Sequence, residues 1–204
     1  MERVLNRVHL QRHGCALFWL VWRGGRVVAG VRVHGPHATV DSFAAPVEMA
    51  ESDGVGEVLR VLRARLGEGV VEMKGAWVRT DVRSTRGLSG AIARCVPPSM
   101  RWFRARYAVC TADRRLAPAW RTSGAAEMAG VPSAPYPDAR YETAVLWWDS
   151  RRMDHLTPEV SRRRDRDLYE LAATARRRPS LEDEPHGVRT LPLPPRDPAR
   201  GRPE

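Results

Sequence analysis

The stretch Val70–Ala112 decides the fold, and it reads VVEMKGAWVRTDVRSTRGLSGAIARCVPPSMRWFRARYAVCTA. Its pattern predicts a strand, a loop rich in glycine and arginine, a helix and a second strand. A strand that runs through such a loop into a helix often forms an anion site. Amides at the start of the helix point outward, and glycines let the backbone approach a ligand. Pro97 and Pro98 should kink the helix or split it in two.

Two strands joined by a tight turn precede this unit. The segment ALFWLVW at Ala16–Trp22 is apolar on both faces, which is typical of a central strand. Gly24 and Gly25 supply the positive φ angles of a hairpin turn, so VVAGVRVHG at Val27–Gly35 should return as the second strand.

The remaining segments before Val70 predict two helices separated by a loop. Met1–His13 places apolar residues at helical spacing, which predicts a short amphipathic helix. Pro36–Gly56 is loop-like in composition. Glu57–Leu66 predicts a helix that Gly67 ends, because its apolar residues form one stripe.

After Ala112 the pattern predicts one more helix and one more strand. Asp113 should cap a helix that runs through Trp120 toward Met128. RYETAVLWW at Arg140–Trp148 reads as the final strand. The hairpin and the strand-helix-strand crossovers together predict an α/β (α+β) fold: a mixed, mostly antiparallel central sheet with helices on both faces.

The composition divides the 204 residues into three parts. Residues 1–149 have the apolar content of one domain with a core. Residues 150–178 predict an exposed helix. Residues 179–204, rich in proline and arginine, predict a disordered tail, in which LPLPP is either a polyproline-II ligand or plain solvated chain.

The charge is strongly basic and arginine-rich. The net charge is +10, and Lys74 is the one lysine among 34 basic residues. Residues 151–204 hold 13 arginines and 10 acids, so most of the excess lies on residues 1–150. A basic domain attracts anions such as nucleic acid, phosphate-bearing cofactors or acidic carrier proteins. Codon usage in a GC-rich genome would also explain much of the arginine.

The three cysteines, Cys15, Cys95 and Cys110, are far apart in apolar surroundings. This pattern predicts buried free thiols and a cytoplasmic protein, not a disulfide framework. We expect no metal site, because His34 and His37 have no acidic or cysteine partner at ligand spacing. We expect no membrane span, because the apolar run is only one strand long.

The order of elements resembles the GNAT acyltransferase superfamily over residues 1–149. The closest stretches are GGRVVAGVRVHGP, VVEMKGAWVR, RWFRARYAVCTA and PYPDARYETAVLWWD, which resemble the branch of autoinducer synthases and N-acyl amino acid synthases. The family's pyrophosphate loop is usually Gln/Arg-x-x-Gly-x-Gly/Ala, and the loop Arg83–Ala91 departs from that spacing. The family's N-terminal strand and first helix have no counterpart in the pattern, so we expect N-terminal elements to be missing.

The resemblance implies transfer of an acyl group from a thioester, on coenzyme A or an acyl carrier protein, to a small amine acceptor. The pantetheine arm would lie in a V-shaped gap between the strands at Val70 and Arg106, with its phosphates on the amides of Gly87–Ala91. The implied residues for this co-substrate are Val78, Arg79, Arg83, Arg86, Gly87, Ser89, Gly90 and Ala91.

The resemblance also implies two catalytic residues. Glu72 matches the strand position where the family often carries a base for the amine; its alternative is a salt bridge with Lys74. Tyr141, on the last predicted strand, would protonate the leaving thiolate; its alternative is packing.

Two other functions remain open from the sequence. One is a non-catalytic domain of the same fold that binds a ligand or partner. The other is a nucleic-acid-binding protein, because Trp102, Phe103 and Tyr107 are interleaved with arginines. These rings would otherwise belong to the core, and nucleic acid is the less favoured partner. Cys95 and Cys110 as nucleophiles are disfavoured, since neither has a histidine beside it.

Overall fold

The computed structural model describes residues 3–11, 14–23, 25–82 and 87–153, together with Arg162 and Arg166; for residues 3–11, 14 and 15 it describes the backbone alone. Within these ranges seven strands form one sheet in the order β1-β2-β3-β4-β5-β7-β6. The strands are β1 Arg3–Gln11, β2 Gly14–Arg23, β3 Arg26–His34, β4 Val70–Val78, β5 Tyr107–Asp113, β6 Ala126–Glu127 and β7 Thr143–Asp149.

In the described ranges, five short α-helices connect these strands. They are α1 Ala45–Glu48, α2 Val55–Arg65, α3 Leu88–Ala93, α4 Val96–Trp102 and α5 Ala117–Arg121. The pairs β1–β2, β2–β3, β3–β4, β5–β7 and β6–β7 are antiparallel, whereas β4 and β5 run parallel. The predicted fold class, a mostly antiparallel mixed sheet with helices, is therefore confirmed.

Each face of the sheet has its own hydrophobic core. Alternate residues of β4 point to opposite faces: Val71 and Met73 pack against α3, α4 and α5, while Val70 packs against α1 and α2. Helix α2 presents the predicted stripe, and its Val58 and Leu62 are fully buried. The helices thus lie on both faces, as the sequence predicted.

Several predicted elements are confirmed at their positions. β2 is an interior strand between β1 and β3, as its two apolar faces indicated. Pro97 and Pro98 do split the helix after the loop, because they occupy the first turn of α4, directly after α3. Asp113 does cap the next turn: its side chain accepts a hydrogen bond from the Arg115 amide.

The prediction of a helix at Met1–His13 was wrong. Residues Arg3–Gln11 form β1, which pairs along its whole length with β2, from Arg3↔Trp22 to Gln11↔Gly14. Val4 and Val8 are four residues apart, a spacing that places them on one face of a helix and equally on one face of a strand. Pairing with the edge of β2 selects the strand.

Two other boundaries were wrong. The helix expected from Asp113 toward Met128 ends at Arg121, and β6 follows it, because the chain turns back to pair with β7. The last strand begins at Thr143 and not at Arg140. The predicted loop Pro36–Gly56 contains one helical turn, α1. The predicted helix and tail at 150–204 lie outside the described residues, except Ser150–Met153 and two single arginines.

Two glycines at the start of α2, Gly54 and Gly56, should respond in opposite ways to replacement by alanine. A Cβ on Gly54 would lie 2.7 Å from the Val131 Cα and 2.9 Å from the Pro132 Cδ, whereas a Cβ on Gly56 meets no atom within 4 Å. We expect Gly54→Ala to lower the free energy of unfolding by about 2 kcal/mol, as overpacking against backbone does. Gly56→Ala should raise it by about 0.5 kcal/mol. Urea unfolding of both variants checks this, and equal effects would contradict it.

Candidate active-site cleft

The cleft forms where β4 and β5 part. The two strands pair only at Val70↔Tyr107, Val71↔Ala108 and Glu72↔Val109. Beyond these pairs, β4 continues along β3 and β5 continues along β7. The V-shaped gap predicted between the strands at Val70 and Arg106 is therefore closed at that end. It opens at the carboxyl ends of the strands.

A bulge in β4 accompanies the divergence. Across the β3–β4 pair, Gly30 faces Trp77 and Arg32 faces Lys74, so β4 carries one more residue than β3 over this step. Gly75 lies in the bulge with φ +57°, in the left-handed region that favours glycine. Residues 75–77, which begin in the bulge, are exposed. The edge of β4 that faces the cleft is therefore uncovered there.

A cavity of about 330 Å³ occupies the open end of the cleft. Its walls come from three elements: the end of β4, the helix α3, and the turn and helix that follow β5. The lining residues are Ala76, Trp77, Val78, Arg79, Thr80, Ser89, Ile92, Leu116 and Trp120.

The indole of Trp120 makes a fixed wall of this cavity. It is 6% exposed and packs edge-on against Trp148, with ring centroids 5.7 Å apart. The Trp148 Nε1 donates to the Ser123 Oγ at 3.1 Å, and that hydroxyl donates to the Trp120 carbonyl at 2.8 Å. These contacts hold both rings in place.

Three of the predicted co-substrate residues, Val78, Arg79 and Ser89, line the cavity. The Arg79 guanidinium is already paired with the Asp81 carboxylate and holds the pKa of that carboxyl at about 2. The charge of Arg79 is therefore compensated within the protein. Arg83 and Arg86 lie outside the described residues.

Two glycines, Gly87 directly before α3 and Gly90 within it, have open space beside them. Gly87 has φ +82°, and a Cβ on Gly87 or Gly90 would meet no atom within 4 Å. The inclusion of the Ala91 amide in a phosphate site was wrong. That N–H donates to the Gly87 carbonyl at 2.9 Å as the first hydrogen bond of α3, and the residue is buried.

Glu72, the predicted base, is a buried anchor for α1. It is 2% exposed, and its carboxylate accepts hydrogen bonds from the amides of Ala44, at 3.0 and 3.1 Å, and Ala45, at 2.8 Å. Burial raises the pKa of Glu72, and the two amides oppose that rise. The nearby His37 Nε2, 4.0 Å away, adds no charge at neutral pH, because burial lowers the pKa of His37 to about 4.

The alternative for Glu72, a salt bridge with Lys74, was wrong. The Lys74 ammonium pairs with the Glu48 carboxylate, whose other oxygen accepts a hydrogen bond from the Thr111 hydroxyl. Sequence reasoning missed Glu48 and Thr111. Glu48 lies in a stretch without periodicity, and no local signal connects it to strands 26 and 63 residues away.

Tyr141 lies before β7 and is 38% exposed, so its placement on the last strand was wrong. Its ring stacks under the Arg140 guanidinium, 5.8 Å from the ring centroid. It is not among the residues that line the cavity. Protonation of the leaving group by Tyr141 stays a prediction.

The residues that suggested other chemistry are structural. Tyr107 is 2% exposed, and Trp102 and Phe103 pack against the core, so these rings are not a free stacking surface. The thiols of Cys95 and Cys110 are buried, as predicted, and burial raises the pKa of Cys110 far from a reactive range.

Two features are absent from the described ranges of the chain: a cluster of metal ligands and a membrane-spanning helix. There, no three His, Cys, Asp or Glu side chains group so as to hold a metal ion. No helix in that part of the chain has the length and apolar content needed to cross a bilayer.

The chain is similar to proteins of mycobacteria. No family model matches it. Uncharacterised proteins of Mycobacterium bovis and Mycobacterium tuberculosis are 37% identical over 159 residues, which is 74% of this chain and 60% of theirs. The chain therefore spans about 60% of the length of the curated relatives that it matches.

Solved structures of GNAT-type enzymes are also similar to it. The CoA-dependent acyl-homoserine lactone synthase MesI is 16% identical, with a TM-score of 0.47, over 78% of this chain and 70% of its own. FeeM, an N-acyl amino acid synthase from uncultured soil microbes, is 13% identical, with a TM-score of 0.46, over 70% and 76%. An acyl-CoA N-acyltransferase from Pseudomonas aeruginosa is 13% identical, with a TM-score of 0.42, over 66% and 69%.

The strand order and pairing of this chain can be compared with the predicted fold without the identities and TM-scores of those structures. The resemblance implied a mixed, mostly antiparallel sheet with a V-shaped gap between two strands; over the described residues the structure has such a sheet, and its one parallel pair, β4 and β5, parts beyond Glu72 and Val109. This arrangement is consistent with the GNAT fold.

Proposed function

We propose that this protein is an N-acyltransferase that binds an acyl thioester in the cleft between β4 and β5. The observation that carries the proposal is the open cleft itself. Two parallel strands part, a bulge at Gly75 accompanies the parting, and a cavity of about 330 Å³ lies at their carboxyl ends. Residues 75–77 offer a strand edge there, which suits the amides of a pantetheine arm.

The lining of the cavity favours this ligand. Trp77, Val78 and Trp120 provide apolar walls for the arm and the acyl end, while Ser89 and the open backbone at Gly90 lie beside the loop that would hold the phosphates. We favour coenzyme A as the carrier. An acyl carrier protein presents the same pantetheine arm and remains the second donor to test.

The reaction would be a direct transfer. The acceptor ammonium loses a proton, and its nitrogen then attacks the thioester carbonyl carbon to form a C–N bond. The C–S bond breaks, and the thiolate takes up a proton. The burial of the Cys95 and Cys110 thiols disfavours an acyl-enzyme intermediate on either of them. Glu72 as base and Tyr141 as acid remain proposals.

The first experiment is a melting-temperature measurement with acyl-CoA. Acetyl-CoA and a long-chain acyl-CoA should each raise the melting temperature, because a ligand that binds only the folded state stabilises it. Arg83→Ala with Arg86→Ala should weaken binding about fivefold, if these two arginines contribute to phosphate binding as the sequence resemblance implies. The matched control is Arg63→Ala with Arg101→Ala, two exposed arginines elsewhere on the surface. No shift with either acyl-CoA would overturn the proposal.

The burial of Glu72 favours a second candidate, a domain that binds the thioester without turning it over. Its carboxylate faces the amides of α1 and is closed off from solvent, so the sequence-predicted base is not displayed to an acceptor. Release of free thiol from acetyl-CoA over a panel of primary amines distinguishes the two candidates. Binding without thiol release favours the non-catalytic module.

A further inference from the structure

The helix α1 is attached to the sheet at both of its ends by carboxylates. At its start, Glu72 of β4 accepts from the amides of Ala44 and Ala45. At its end, Glu48 reaches back to Lys74 of β4 and to Thr111 of β5. A four-residue helix has almost no stability of its own, so these contacts fix where it lies.

The position of the Glu48 carboxylate is defined by the register of the sheet. The last β4–β5 pair is Glu72↔Val109, and Lys74 and Thr111 are each two residues farther along their strands. They are the same-face positions that would come next if the parallel ladder continued. Glu48 therefore joins the two strands at the point where their main chains no longer do.

The three side chains form a nearly closed unit. The side chains of Glu48 and Lys74 are 12% and 17% exposed, so the ion pair is shielded from water and from salt. Each carboxylate oxygen has a separate partner, one on each strand. A glutamate at this position is long enough to reach both strands, carries the charge that pairs with Lys74, and has a second oxygen that accepts from Thr111.

We propose that Glu48 is a positioning residue that holds β4 and β5 at the separation an acyl thioester needs. This inference rests on the proposed function, because it takes the cleft to be the acyl-donor site. Loss of the carboxylate would free Lys74 and Thr111 and let the β4 edge at residues 75–77 move relative to β5.

The test compares Glu48→Gln, Thr111→Val and the double variant. Each should bind acetyl-CoA more weakly at 25 °C, with Glu48→Gln about tenfold weaker, as for loss of one charged hydrogen bond. The double variant should be no weaker than Glu48→Gln alone, because both changes break one unit. Glu57→Gln, which breaks an exposed ion pair with Arg60 on α2, is the control and should bind like the wild type.

A second measurement separates this inference from the proposed function. Amide hydrogen exchange at residues 75–78 should be faster in Glu48→Gln than in the wild type, with or without ligand. If no acyl-CoA binds the wild type, the proposed function fails, and exchange alone decides the role of Glu48. Unchanged exchange and unchanged acetyl-CoA affinity, or additive effects in the double variant, would overturn the proposal.

Discussion

Glu72→Ala is expected to lower the free energy of unfolding by about 3 kcal/mol, because it leaves two buried amide donors without an acceptor. The carboxylate is 2% exposed and accepts from the Ala44 and Ala45 amides at 2.8–3.1 Å. Alanine supplies no acceptor for these amides. Urea unfolding measures the loss.

Glu72→Gln separates the hydrogen bonds from the charge. A glutamine oxygen can still accept from both amides, so this variant should retain most of the stability that Glu72→Ala loses. It should also change the pH dependence in a definite direction. Because burial raises the folded-state pKa of Glu72 above its ordinary value of 4.5, this group stabilises the wild type most below pH 4.5. That contribution disappears as the pH rises through the folded-state pKa.

The wild type should therefore lose stability relative to Glu72→Gln as the pH rises from about 4 toward neutrality. Glu57→Gln is the control of opposite sign. The pKa of Glu57 is lowered by its hydrogen bond to Arg60, so its contribution is present above pH 4.5 and is lost as the pH falls. If Glu72→Ala proved as stable as the wild type, Glu72 would not anchor α1, and its role as an exposed base would regain support.

The parts of the fold that local sequence determines could be predicted. The strand β2, the turn at Gly25 and the apolar stripe of α2 each carry their signal within about ten residues. The break at Pro97 follows from the missing amide of proline alone. The strand β1 could not be separated from a helix, because only its pairing with β2 selects between two periods that the same residues satisfy.

The cleft could be located from the sequence, but its polar contacts could not. The local pattern of a strand, a glycine-rich loop and a helix is sufficient to locate a site at the end of β4, without information from the rest of the chain. The partner of Lys74, in contrast, lies 26 residues away on α1, and the Thr111 hydroxyl comes from a strand on the far side of the gap. Glu72 was placed on the correct strand, but its burial depends on α1, which no periodicity predicts.

Gly90→Ala should weaken acetyl-CoA binding about thirtyfold, the equivalent of about 2 kcal/mol of overpacking. In the free protein a Cβ at this position meets no atom within 4 Å, so the substitution itself causes no clash. If the phosphates approach the first turn of α3 at Gly90 as we propose, the added methyl group occupies the space that they need. The expected loss therefore depends on the ligand and not on the fold.

Gly56→Ala is the matched control for this prediction. Gly56 is also a helical glycine with open space around its Cβ, but it lies on α2, on the opposite face of the sheet from α3. Both variants should melt slightly higher than the wild type without ligand, since alanine restricts the unfolded chain. Only Gly90→Ala should lose the shift that acetyl-CoA produces. Equal acetyl-CoA affinity in the two variants would place the phosphates elsewhere and remove Gly90 from the site.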